Sequence, residues 1–415
     1  MSEVLYNERL QRVNDALALK EPDQVPIAPQ WMSFPFHYAG YSMAEVNYDV
    51  GKAQDAIRKY LDHFQPDITD HYAKLFIGQF PMLEKYGVKW LQWAGQKDSI
   101  VPDDSIFQFV EKEYMNEDEY PELLGDQSGF VLRKYLTRTT TLFEPFENID
   151  FPAMIGYAMP PGALQFMNPD IAETFETLGD IGRDMLMYYY QLGEFCKELE
   201  GMGFPLQVVA TTVTAYDYLS DFLRGTIGIS LDLMEQPENV HRAVEAFYPG
   251  TLKGALIQTK FAKGRFVFIP LHKGMDGFLS DSQYKKYYWD TLLRLVNDLI
   301  DNGLTPWIYT EGPYDSRVEC LMDVPKGKTW IHFETADMKR VKKLLGDVAC
   351  LSGGISSTML MYGTKEEVIN KTKENVDILA PGGGYIFDLG DTMENCKPEL
   401  VEVMFDTIRQ HGKYR

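Results

Sequence analysis

The sequence predicts an α/β fold, a (β/α)8 TIM barrel with an N-terminal helix and an inserted lid region. Three observations predict it: eight short apolar or β-branched runs, long amphipathic stretches between them, and one interval that breaks the alternation. Such alternation is typical of parallel strands joined by right-handed crossovers, and eight such units close into a barrel. The runs are VPIAP at residue 25, PDITDHY at 66, LQVVATTV at 206, RFVFIPLH at 265, LTPWIYTE at 304, KTWIHFET at 328, DVACLSGG at 347 and GGYIFDLG at 383.

Helices are predicted before and between these runs. Over residues 3–19 apolar side chains recur at helical spacing, and Pro22 follows. We expect this first helix to pack outside the barrel. Residues 281–302 and 364–379 are amphipathic stretches that follow the fourth and seventh runs, as crossover helices do.

Residues 88–200 break the alternation. They contain a candidate hairpin, GVKWLQWAG, an acidic loop, EKEYMNEDEYPELLGD, and a helical run near DIGRDMLMYYYQLGEFCKELE. We expect this interval to be an insertion that forms part of a lid. Since the sequence shows neither an internal repeat nor a Pro/Ser-rich linker, residues 1–415 are predicted to form a single domain.

Composition limits the classes of function. The formal net charge is −21, from 61 acidic against 40 basic residues, so the surface should repel nucleic acid and anionic membranes. The charged N-terminal sequence resembles no signal peptide, and the later apolar segments have too few consecutive apolar residues to span a membrane. The four cysteines are scattered without CxxC spacing, which favours reduced thiols over a disulfide framework. A cytoplasmic location is therefore predicted.

Residues that can bind a metal end three neighbouring runs. His272 ends the fourth run, Glu311 the fifth, and His332 with Glu334 the sixth. Reacting groups of a barrel enzyme come from the carboxyl ends of different strands, and neighbouring strands lie about 4.8 Å apart. Inward-facing Glu311 and His332 could therefore reach one ion. A hydrogen-bonded structural role is the alternative for each, and His272 could equally bind a substrate oxygen.

Aromatic residues follow the first run, in WMSFPFHY at 31–38. There Trp31 and Phe36 could line the barrel mouth for a flat aromatic substrate, although packing under a lid is the alternative. Asp276 lies four residues after His272 and could cap the following helix.

Nearly the whole chain resembles the uroporphyrinogen decarboxylase superfamily, from ERLQRVNDALALKEPDQVPIAP to the last helix. HKGMDGFLSDSQYKKYYWDTLLRLVNDLIDNGLTPWIYTEG, PKGKTWIHFETADMKRVKKLLGD, GTKEEV and the closing GKYR are most similar to one branch. That branch is the methyltransferase I component of anaerobic O-demethylases, which moves a methyl group from a phenyl methyl ether to the cobalamin of a separate corrinoid protein.

Two departures from sister branches matter. Thiol-alkylating zinc methyltransferases carry His-x-Cys at the end of the fifth strand and a further Cys near the last strand. At the matching positions this chain has Tyr309, Glu311 and Gly383. Porphyrinogen decarboxylases place arginines after the tryptophan of the first strand, and WMSFPFHYAGY has none. A thiolate zinc site and a porphyrin polycarboxylate substrate are therefore both disfavoured.

The resemblance implies a zinc-dependent enzyme that cleaves an aromatic methyl ether. It implies a zinc ion bound by Glu311 and His332, with His272 as the first choice of third ligand and Glu334 as the second. Zinc would act as a Lewis acid on the ether oxygen. Cob(I)alamin on a partner corrinoid protein would be the nucleophile.

The substrate ring would contact a small group of side chains. Trp31 and Phe36 would form aromatic walls, and a polar contact would come from His37, Tyr309 or Asp276. A homodimer is one assembly open to the chain. Two alternatives remain: a decarboxylase that uses no metal, and a barrel without activity that binds a corrinoid protein as a scaffold.

Overall fold

The computed structural model describes residues 2–414 and shows a closed barrel of parallel strands, so the predicted fold class is confirmed. Strands β3 to β7 form one sheet in sequence order. Single parallel bridges, Thr69 to Leu206 and Leu351 to Tyr385, extend it on both sides. A bridge from Ile27 to Phe387 and a hydrogen bond from Asp67 N to Ile27 O (2.8 Å) close the ring. Each predicted run contributes to this ring.

The strands are β1 (Leu91–Trp93), β2 (Phe107–Phe109), β3 (Val208–Thr211), β4 (Phe266–Leu271), β5 (Thr305–Pro313), β6 (Trp330–Thr335) and β7 (Cys350–Gly353). The helices of eight residues or more are α1 (Ser2–Leu17), α2 (Val50–Phe64), α3 (Pro169–Gly201), α4 (Gly225–Glu235), α5 (Pro237–Gln258), α6 (Asp290–Asp301), α7 (Met338–Leu345), α8 (Lys365–Leu379) and α9 (Pro398–His411). Among the helices of residues 2–414, none combines the length and the apolar character that a membrane crossing requires.

Aromatic side chains fill the inside of the barrel in two layers. Trp307 of β5 stacks on Trp330 of β6, with ring centroids 4.2 Å apart. One layer further along, Tyr309 stacks on His332 at 3.9 Å, because the β5–β6 register places these residues opposite each other. Both side chains therefore lie inside the barrel.

Helix α1 covers the amino-terminal end of the barrel. Its buried residues Val13, Ala16 and Leu17 belong to the same apolar cluster as the interior tryptophans. Apolar residues recur along this helix at spacings of three and four, which puts them on one face. The predicted first helix is therefore present, and it closes the barrel from outside.

The interval 88–200 lies between the second and third strands of the barrel. It begins with β1 and β2, which pair in antiparallel register. The predicted hairpin segment, GVKWLQWAG, contains β1 but not β2, so the partner strand lies outside the segment that the sequence indicated. The interval ends with α3, whose buried residues include Tyr188, Leu192 and Phe195. Its predicted role as an inserted lid stays a prediction, but several of its side chains reach the carboxyl end of the barrel.

Candidate active site

A cavity of about 730 Å³ lies at the carboxyl ends of the barrel strands. It extends to the surface, since Phe109 on its wall is 48 % exposed. Its walls are strongly aromatic, and many of the rings come from residues 88–200. The lining aromatic residues are Phe76, Trp90, Phe107, Phe109, Tyr114, Tyr135, Tyr188, Tyr189, Phe222, Phe268 and Tyr309. A volume of this size can hold a small ring compound together with part of a partner group.

His272 and Glu311 lie together on the wall of this cavity. Because Leu271 pairs with Thr310 across β4 and β5, the next residue of each strand stands at the same height. His272 Nε2 lies 3.9 Å from Glu311 Oε1. The other ring nitrogen, Nδ1, lies 2.5 Å from Asp221 Oδ2. The sequence analysis predicted that His272 and Glu311 would meet, and the structure brings them together.

A buried carboxylate fixes the backbone beneath this pair. Asp217 is fully buried and accepts hydrogen bonds from the backbone N–H of His272 (3.3 Å) and of Lys273 (2.9 Å). It also accepts one from the hydroxyl of Tyr288 (2.5 Å). Asp217 and Asp221 are four residues apart on a helical segment that Thr214 caps and that turns π-helical at 220–224. Such π turns occur frequently at functional sites.

The charges of this cluster shift one another's pKa values. Burial opposes the charged form of His272, but the hydrogen bond to Asp221 and the charges of Asp217 and Glu311 raise its pKa to about 9. Burial raises the pKa of Glu311, and the Glu334 and Asp221 charges add to that effect while His272 opposes it. Burial also raises the pKa of Asp217, with a further contribution from Asp221. The His272 imidazole is therefore protonated at neutral pH when no metal is bound.

His332 lies away from the cavity, in the barrel interior. It is fully buried, and its Nε2 donates to the carbonyl oxygen of Gly390 at 2.9 Å. Its Nδ1 lies 3.2 Å from both Ser352 Oγ and Asp388 Oδ2. Both ring nitrogens therefore face protein groups. The predicted pairing of His332 with Glu311 around one ion does not fit this arrangement.

Tyr309 lies on the cavity wall. The residue is 4 % exposed and lines the cavity, and its hydroxyl has no hydrogen-bond partner among residues 2–414. A buried hydroxyl without a partner is costly. Tyr309 can therefore donate a hydrogen bond to a bound molecule.

The structure does not bring the other predicted substrate residues to the cavity. Trp31 and Phe36 are buried and pack on each other and on α2, with their ring centroids 6.1 Å apart. His37 is half-buried and, like them, is absent from the cavity wall that residues 2–414 form. Asp276 instead holds a turn, accepting from Ser316 N at 3.0 Å and from Ser316 Oγ at 2.5 Å. Packing, the alternative for the aromatic pair, is the observed arrangement.

Several residues of the site were missed by the sequence analysis. Asp217 and Asp221 lie in TAYDYLSDF, where their spacing of four places them on one helix face. His71 and Lys74 follow the second strand and line the cavity. The carboxyl-end rule that selected His272 could also have selected His71, which ends PDITDH.

A metal ion would find two side chains of this cavity in place. His272 and Glu311 offer a nitrogen and an oxygen suited to zinc, and Asp221 holds His272 as a carboxylate commonly holds a zinc-binding histidine. Residues 2–414 contain no group of three His, Cys, Asp or Glu side chains arranged to hold a metal. The pair therefore supplies two of the three protein ligands that a catalytic zinc site usually has, and His332 does not lie where it could complete the set.

Much of the site lies within a segment that matches a family model. Residues 207–411 match the family model for uroporphyrinogen decarboxylase (URO-D). The URO-D match includes β3 to β7 and, with them, His272, Glu311 and Asp221. It supports the superfamily that the sequence predicts.

A solved structure gives the same fold. The chain is similar to a methyltransferase from Methanosarcina mazei, with a TM-score of 0.62 and 11 % sequence identity. The likeness covers 96 % of this chain and 97 % of the methyltransferase. At this identity the likeness shows the barrel fold that the URO-D match also implies. No curated protein matches the chain significantly.

Proposed function

We propose that the protein is a methyltransferase that transfers the methyl group of an aromatic methyl ether to the cob(I)alamin of a corrinoid protein. The observation that carries the proposal is the His272–Glu311 pair on the wall of an aromatic cavity that opens to solvent. The URO-D match, the fold shared with a methyltransferase and the sequence resemblance to the ether-cleaving branch support it.

The cavity suits an aromatic ether in shape and charge. Its many rings can stack on a flat substrate, and the hydroxyl of Tyr309 can donate to an ether or phenol oxygen. Among the described residues that line it, the basic side chains are His71, Lys74, His272 and Lys273, and arginine is absent. Lys74 and Lys273 each lie within 4 Å of a carboxylate. A porphyrin polycarboxylate would need several free cations, so the decarboxylase alternative has less support.

Departure of the phenolate is the step that the cavity must ease. The C–O bond breaks as the methyl group moves to cobalt, and its electron pair stays on the phenol oxygen. We propose that His272 and Glu311 hold a zinc ion, which would act as a Lewis acid on that oxygen. Asp221 keeps the His272 ring oriented, and the aromatic walls hold the ether in line with the attacking partner.

Methyl transfer and metal content test this proposal together. The protein, mixed with cob(I)alamin and a panel of methoxylated phenols, should convert the cobalamin spectrum to that of the methylated form. Protein purified without chelator should contain about one zinc per chain. His272→Gln and Glu311→Gln should each remove most of the zinc and slow transfer at least about a hundredfold. Asp276→Asn, which changes a turn outside the cavity, is the matched control.

Four outcomes would contradict parts of the proposal. Turnover of an amine or a thioether alone would refute the ether assignment. Full activity in metal-free protein would refute zinc, and a proton from His272, whose pKa is about 9, would then be the acid. Loss of carbon dioxide from a porphyrinogen without any methyl transfer would refute the function, as would corrinoid binding without any reaction.

A further inference from the structure

A second polar cluster lines the same cavity. It consists of Asp70 and His71, which follow the second strand of the barrel, with Lys74 and Gln30 beside them. Strand β3 lies between that strand and β4, and His272 directly follows β4. The cavity therefore has two polar regions on different strands, with aromatic walls around both.

His71 is the member of this cluster that no protein group satisfies. It is 8 % exposed, and neither ring nitrogen has a hydrogen-bond partner within residues 2–414. Leaving a buried polar group without a partner is costly, and such a group on a cavity wall points to a bound molecule as the partner. Burial lowers the pKa of His71, although the Asp70 charge opposes that shift, so the ring is neutral.

Lys74, by contrast, is already engaged. Its ammonium lies 3.1 Å from Asp70 Oδ2 and 3.1 Å from Gln30 Oε1, and 4.0 Å from the centroid of the Trp31 ring. Asp70 also accepts from the backbone N–H of Val208 at 3.2 Å. The ion pair leaves the cluster without net charge, so the attraction for an anion is weak.

We propose that His71 forms a second binding subsite of the cavity, one that recognises a hydroxyl group on a ring compound. This inference rests on the proposed function for the ring, and it adds a specificity-determining residue remote from the His272–Glu311 pair. A neutral imidazole offers one N–H donor and one nitrogen acceptor. A hydroxyl group donates and accepts, so it can satisfy one ring nitrogen in either direction.

A carboxylate substituent matches this subsite poorly. It only accepts hydrogen bonds, so it can use the N–H of His71 but not the other nitrogen. It would also lie beside the carboxylate of Asp70, whose charge Lys74 already offsets. A methyl or halogen substituent would leave both nitrogens unsatisfied. The site should therefore discriminate a hydroxyl from each of these groups.

Binding measured by isothermal titration calorimetry tests the subsite without any methyl transfer. The full-length protein is titrated with methoxyphenols, the matching fluoroanisoles and the matching methoxybenzoates. The best methoxyphenol should bind about tenfold more tightly than its fluoro and carboxylate counterparts, the effect of one satisfied hydrogen bond. His71→Phe should bring the methoxyphenol and the fluoroanisole within about twofold, by removal of that bond.

Two further variants control the comparison. His71→Gln keeps a donor and an acceptor and should retain part of the preference, which a purely structural role would not predict. His241→Phe changes a half-buried histidine that is not part of the cavity wall formed by residues 2–414, and it should leave the preference unchanged. Circular dichroism checks that each variant is folded.

The outcomes separate this proposal from the proposed function. An unchanged preference in folded His71→Phe would overturn the subsite, as would tighter binding of the methoxybenzoates that depends on Lys74, tested with Lys74→Met. Failure of wild-type protein to bind any ring compound would also overturn it. The proposed function fails instead when ethers bind but no methyl group is transferred, and in that case the preference for a hydroxyl group still holds.

Discussion

The Nδ1 atom of His272 is held by Asp221, and its Nε2 atom faces Glu311 3.9 Å away. The Asp221 carboxylate therefore orients the His272 ring, and the Glu311 carboxylate lies close enough to bind the same ligand as His272. In a metal-bound protein the imidazole would be neutral, whereas in a metal-free protein the surrounding charges favour the imidazolium. The protonation of His272 thus reports whether a metal is present.

Stability of metal-free protein should depend on this protonation. The pKa of folded His272 is about 9, above its ordinary value of 6.5. Its contribution to stability is therefore complete below about pH 6.5 and is lost as the pH rises through about 9. Melting temperatures of chelator-treated protein should fall more steeply between about pH 7 and pH 10 for wild type than for His272→Gln. Parallel curves would show that Asp221 does not stabilise the charged ring.

His332 and His272 should respond differently to substitution. Because His332 is buried with both nitrogens facing protein groups, His332→Ala should lower the free energy of unfolding by about 3 kcal/mol. His272→Ala, at the cavity wall, should cost less than about 1 kcal/mol in metal-free protein at about pH 10, where the imidazole is neutral and its ion pair with Asp221 is lost. Denaturant titration gives both values. A small loss for His332→Ala together with complete loss of zinc would restore His332 as a metal ligand.

At the scale of single elements, β6 and β7 approach each other closely at Gly353. Its φ of +104° lies in the left-handed region, and an added Cβ would meet the Phe333 carbonyl oxygen at 1.9 Å. Phe333 and Gly353 are register partners, so the close approach is part of the sheet. Glycine is therefore required here for two separate reasons.

Comparison of two glycines separates these reasons. Gly303 has a φ of +76° but nothing from residues 2–414 within 4 Å of an added Cβ. Gly303→Ala should cost about 1 kcal/mol, the effect of backbone conformation alone. Gly353→Ala should cost roughly 3 kcal/mol or more, because the strands must also move apart. Equal unfolding free energies of the two variants would show that β6 and β7 can move apart without loss of stability.

The strands could be predicted from sequence because each is a local apolar run with helical stretches between them. Which of the candidate ligands lie side by side could not be predicted, because that depends on strand register. Tyr309 pairs with His332, and the β5–β6 register shifts between Thr310 and Pro313, just where Glu311 stands. Because of this shift, the inward–outward alternation of side chains that applies to Tyr309 does not fix the direction of Glu311. His272 lies beside Glu311 because the β4–β5 register runs without a shift as far as Leu271.

For the whole molecule, α1 and the barrel interior form one apolar cluster. A charge placed there should destabilise the entire barrel, since no polar group replaces the lost hydration. Val13→Asp should therefore lower the free energy of unfolding by about 3 kcal/mol or more. Val4→Asp, on the same helix but at a position that is 61 % exposed, should change it by less than about 0.5 kcal/mol. Similar values for both would mean that α1 does not close the barrel.

The stacked tryptophans provide a spectroscopic probe of the barrel interior. Trp307 and Trp330 lie with planes only 6° apart, and two indoles at 4.2 Å couple their electronic transitions. Such coupling should give a near-ultraviolet circular dichroism band that Trp307→Phe abolishes. Because the pair lies one layer beneath Tyr309 and His332, the band should survive every substitution confined to the cavity wall, His71→Phe and Glu311→Gln among them. This circular dichroism band therefore shows whether a substitution perturbs only the cavity at the barrel mouth or also the packing of the barrel interior.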